Sequence, residues 1–73
     1  MKYRRVTIEK QDRSYVPERE PVFILRAQDV LAPIAVRHYA DLVYATTGSL
    51  AVAEEIRHVA TLMAAYPTKK LPD

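Results

Sequence analysis

Arginine and histidine stand together twice in this chain, in Val36-Arg37-His38-Tyr39-Ala40 and again, twenty residues on, in Ile56-Arg57-His58-Val59-Ala60. Guanidinium and imidazole make charge-assisted hydrogen bonds to phosphate and carboxylate, and histidine changes charge close to neutral pH. Two such pairs could grip an anion, stack on a base or supply half a metal site. A zinc centre needs three or four ligands, whereas the chain has two histidines and no cysteine, so no metal and no other cofactor is expected. Catalysis has equally little to build on. There is no nucleophile–base spacing and no glycine-rich phosphate loop, and Glu54 and Glu55, as helix neighbours, would diverge by about 100° rather than converge. The chain reads as a binding protein, not an enzyme. The plainer role for the same residues is helix support, with Arg37–Asp41 and Glu54–His58 as i,i+4 pairs worth about 0.3–0.5 kcal/mol each.

Other cations could join such a site. Arg26 follows the apolar run Val22-Phe23-Ile24-Leu25, and Lys69 and Lys70 stand in the closing Pro67-Thr68-Lys69-Lys70-Leu71-Pro72-Asp73. Tyr44 falls off the apolar helical positions and offers a face for stacking. The candidate ligand-binding set is therefore Arg26, Arg37, His38, Tyr44, Arg57, His58, Lys69 and Lys70.

Two helices would have to position these groups. Asp29 is a candidate N-cap, with Pro33 in the first turn where its missing N–H costs nothing. Val36, Tyr39 and Val43 then recur at helical spacing, which predicts a helix over 30–47. Gly48, the only glycine, falls where a helix ends in a left-handed residue, and Ser49 is a natural N-cap for the next one. Val52, Ile56, Val59, Met63 and Tyr66 are spaced four, three, four, three, a packing seam, which predicts a second helix over 49–66, ended by Pro67. So short a connection makes the helices antiparallel neighbours and sets the two histidines at one height. Upstream, the four apolar residues after Pro21 predict a strand within 21–28, and the weak alternation of Val6 and Ile8 predicts another near 3–9. The expected fold class is α+β: one or two N-terminal strands, then an antiparallel two-helix hairpin, all in a single domain over 1–73 with a tail over 67–73.

Charge is uneven. Residues 1–19 carry six basic and three acidic groups, residues 20–66 three basic and five acidic. The first twenty residues read as a basic arm or edge strand able to meet phosphates, with Tyr3 and Tyr15 interleaved. Acidic helices weigh against duplex DNA. No run of the sequence is long and apolar enough to cross a bilayer, and Met1 to Lys10 lacks the apolar stretch of a signal peptide, so a cytoplasmic location is expected. At 73 residues without disulfides, and with ten alanines among its apolar residues, the chain has little core to build, and association is the common remedy. A homo-oligomer is expected.

Glu20-Pro21-Val22-Phe23-Ile24-Leu25-Arg26-Ala27-Gln28-Asp29, the helix opening Leu31-Ala32-Pro33 and the closing Pro67 to Asp73 together resemble small proteins of bacteriophages and prophages, over roughly residues 17–73. The resemblance implies a phage accessory protein in the host cytoplasm. One type of counter-defence protein from that setting, the sponges that sequester cyclic-nucleotide immune signals, traps its ligand between subunits. This chain is similar to the sponges in size and hairpin alone, and none of their binding residues carries over. The function expected on these grounds is that of a non-enzymatic homo-oligomer sequestering a small anionic nucleotide. Two alternatives stand beside it: an inhibitor or adaptor docking on a host protein, and a nucleic-acid binder acting through the basic arm.

Overall fold

A computed structural model describes residues 8–17 and 19–71 of the chain. Its architecture is a helical hairpin: α1 runs Ala32–Thr47 and α2 runs Leu50–Ala65. Pro33 sits in the first turn of α1. Asp29 acts two residues before the cap, its carboxylate accepting from the Leu31 N–H at 2.8 Å while Leu31 itself occupies the N-cap position. Gly48 ends α1 at φ 71°, and its N–H donates to the Tyr44 carbonyl. That left-handed geometry is one that a Cβ disfavours. Thr47 Oγ1 then accepts from the Ser49 N–H at 3.1 Å, and Ser49 Oγ accepts from the Val52 N–H at 3.3 Å, opening α2. Thr47, Gly48 and Ser49 thus reverse the chain and give partners to several of the helix-end groups that would otherwise lack them.

The α+β expectation is overturned. Among the described residues there is no β-strand, only two isolated bridges, Glu9 with Tyr15 and Asp29 with Lys70. Residues 21–28 form no strand because a strand needs a neighbour to hydrogen-bond. The one segment that reaches this region, around Lys70, meets the chain after the apolar run, at Gln28 and Val30. Val22, Ile24 and Leu25 are left half-buried, with Phe23 76 % exposed. Most of the strand expected near 3–9 lies outside the described residues. Ile8 and Val16 close a tight loop instead, through the Val16 N–H donating to the Ile8 carbonyl.

The hairpin seam also differs from the expected one. Its fully buried apolar side chains are Ala32, Ala40, Ala53 and Ala60, joined by buried Pro33. Val36, Val43, Ile56 and Met63 flank them half-buried, while Tyr39, Val52, Val59 and Tyr66, expected in the seam, stand between 44 % and 59 % exposed. Small side chains let helix backbones approach closely, so the alanines occupy the contact line and the bulky residues are displaced to one side of it. At about 100° per residue, Tyr39 lies roughly 100° from Ala40, and Val59 the same angle from Ala60. No side chain larger than proline is buried among the described residues.

Candidate functional site

The displaced residues give the hairpin two unlike broad faces. Helical rotation places Tyr39 and Val43 of α1 on the same side as Val52, Val59 and Tyr66, the last standing at the C-cap of α2. The opposite side carries the ion pairs. There Arg57 of α2 reaches across the hairpin, its Nη2 donating to Asp41 Oδ1 at 3.1 Å, while its Nη1 donates to Glu54 Oε1 at 2.7 Å. These two acceptors favour the charged guanidinium and raise the Arg57 pKa further, Asp41 contributing most. Both local pairs expected from the sequence are replaced by this one network. Asp41 pairs with Arg57 of the antiparallel neighbour rather than with Arg37, and Glu54 pairs at i,i+3 within α2 with Arg57 rather than at i,i+4 with His58.

Arg37 is left without a hydrogen bond or ion pair among the described residues. It lines, with Ile34, His38 and Asp41, an open depression of about 190 Å³ on the outer side of α1. Ligand pockets usually span some 300–1,000 Å³ and enclose most of their ligand, so this depression is smaller and more open than such pockets. Asp41 brings a negative charge to the rim, but Arg57 already matches it. The net character of the depression is set by Arg37 and His38.

The remaining candidates do not converge on that spot. Ala40 and Ala60 lie in the seam two residues beyond His38 and His58, and two residues turn a helix by about 200°. Each histidine therefore lies on the far side of its own helix from the seam, and the two look away from each other. Tyr44 is 47 % exposed on the charged side, beyond the next turn from Arg37. Arg26 is exposed at the other end of the chain's turn into α1. Lys69 has a structural task that spacing did not reveal: its Nζ donates to the Ala27 carbonyl at 2.9 Å and to the Met63 carbonyl in the last turn of α2. A cation there also suits the negative end of the helix. The Lys70 backbone binds the same segment, donating to Gln28 and accepting from Val30. Together these bonds strap the tail to the entrance of α1.

No protein-family profile matches the chain, and no curated protein or solved structure is significantly similar to it. Among the described residues no helix is long and apolar enough to cross a membrane, and no three potential metal ligands cluster.

Proposed function

We propose that this chain is a non-enzymatic binding protein that acts as a homo-oligomer and holds a small anionic, nucleotide-like ligand where the outer side of α1 meets another subunit. The observation that carries the reading is the pairing at the depression. Arg37 and His38 keep their donors unused, while the neighbouring carboxylate of Asp41 is already matched by Arg57. The depression is too small and too open to enclose a ligand by itself, and a second chain would supply the missing wall. Self-association has its own support in the exposed apolar residues and in a seam of alanines. The resemblance to small phage proteins supports a setting in the host cytoplasm, with an immune nucleotide signal as the ligand.

A second reading, docking on a host protein, is favoured by one feature of the same side. Leu31, Ile34 and Leu42 are each more than half exposed around Arg37 and His38, and apolar side chains of that size contribute nothing to binding a phosphate. Native mass spectrometry separates the two. The purified protein would be measured alone and with a panel of cyclic nucleotides and nucleotide sugars. A fixed number of ligands per oligomer, lost in Arg37→Ala with the oligomer retained, supports the sequestering role. An oligomer that stays empty against the whole panel overturns it.

A further inference from the structure

We infer that the apolar broad face of the hairpin, carrying Tyr39, Val52, Val59 and Tyr66, is covered by the same face of a second copy of this chain, with α2 lying antiparallel on its symmetry mate about Val59. The inference shares with the proposed function only the premise of self-association, and concerns the face opposite the charged network.

Three observations lead there. The first is area. The four side chains are each about half exposed, and an aromatic ring accounts for roughly 150–250 Å² when buried, so the open apolar surface is on the order of 400 Å². A standard interface takes about 800 Å² from each partner, a little over half of it apolar. This face therefore has the apolar content of one side of an interface, and matches in size the largest patch a monomer ordinarily leaves open, one that is often functional.

The second is charge. Among the described residues the ion pairs of the hairpin, Arg57 with Asp41 and Glu54, lie on the opposite side. Tyr39, Val43, Val52, Ile56, Val59, Met63 and Tyr66 bring no charge to this one, and Glu55 stands at its outer edge, in line with Leu62. A two-fold axis lays a patch on its own copy, so a patch rich in one charge would repel itself and an apolar one does not.

The third is shape. Val52, Val59 and Tyr66 recur every seven residues along one edge of α2. An axis lying in the interface and crossing α2 at Val59 reverses that row. Tyr66 of one copy then covers Val52 of the other, large over small at both ends, and Val59 meets its own equivalent. On α1 the open side carries one large residue, Tyr39, near the middle of the helix, with Thr46 seven residues on. The face is thus complementary to itself. A permanent partner is also what a hairpin requires when it buries no side chain larger than proline.

The absence of cysteine makes the test direct. Val59→Cys, oxidised in the full chain, is expected to form a disulfide dimer by itself. An equimolar mixture of Tyr66→Cys and Val52→Cys should cross-link several-fold more than either variant alone. Leu62→Cys, 58 % exposed on the outer edge of α2, should stay uncross-linked. Val59→Arg should shift the mass by light scattering from dimer or multiple of a dimer to monomer. Should Val59→Arg fail to fold, the cross-link of Val59→Cys still decides. An oligomer that persists while Val59→Cys remains reduced and uncross-linked overturns this face and leaves the proposed function standing. A wild-type chain that is monomeric at every concentration removes the shared premise and points to a foreign protein as the occupant.

Discussion

Replacing Ala40 by leucine probes the alanine seam most sharply, because two opposing effects have known sizes. Ala40 is fully buried at the line where the helices approach. Leucine costs almost nothing in helix propensity relative to alanine, so any change comes from packing. Burying the extra methyl and methylene groups would gain about 0.8 kcal/mol for each carbon if the seam could accommodate them. Close approach denies them room, and overpacking a tight contact costs about 1–3 kcal/mol. If the seam is held by small side chains, the second effect dominates. The control is Ala45→Leu, five residues along the same helix and exposed, where the change should be near zero. For a domain of this size 1 kcal/mol moves the midpoint by roughly 4–8 °C. Thermal melts followed by circular dichroism, at one fixed protein concentration to hold any assembly constant, should show Ala40→Leu melting at least about 4 °C below wild type and Ala45→Leu level with it. An Ala40→Leu variant as stable as wild type would refute close helix approach.

Two further outcomes concern the strap and the turn. Lys69→Met removes the donor to the Ala27 and Met63 carbonyls, and should cost about 1 kcal/mol in urea unfolding. It should also speed hydrogen exchange at the Val30 and Lys70 amides, which close the same strap; unchanged exchange would deny Lys69 that role. Asp12 accepts from the Ser14 hydroxyl at 2.6 Å and the Ser14 N–H at 3.0 Å, and these bonds lower its pKa below the ordinary aspartate value, the hydroxyl contributing most. Because the folded value is depressed, the turn gains support from the carboxylate above the unfolded pKa and loses it as pH falls through the folded one. The Ser14 amide resonance should therefore titrate at a pH below that of aspartate in a peptide, and a midpoint at the ordinary value would contradict the contact.

The hairpin was legible in the sequence because its signals are local. A lone glycine, a serine after it and a proline at each outer end act within a few residues, and tertiary context did not compete with them. The seam was less legible. Hydrophobic periodicity weighs Val52, Val59 and Tyr66 above Ala53 and Ala60, although close packing selects the alanines; the large residues then mark the open face instead. The strand expected at Val22–Leu25 failed for want of a partner, which no local pattern supplies. Arg57 and Arg37 look equivalent within their matching pentapeptides, yet only Arg57 finds Asp41 across the hairpin. That cross-helix pair decides which of the two cations remains available, and it depends on which face of each helix meets the other. Lys69 escaped for a similar reason, since its acceptors are backbone carbonyls and carry no sequence signature.

Self-association underlies both the proposed function and the inferred face, and the native mass of the full chain tests it directly. Measured from high nanomolar to high micromolar concentration, the protein should appear as a dimer or a multiple of a dimer of the 8.3 kDa chain, with monomer emerging only on dilution. A folded 8.3 kDa monomer across the whole range would contradict the account.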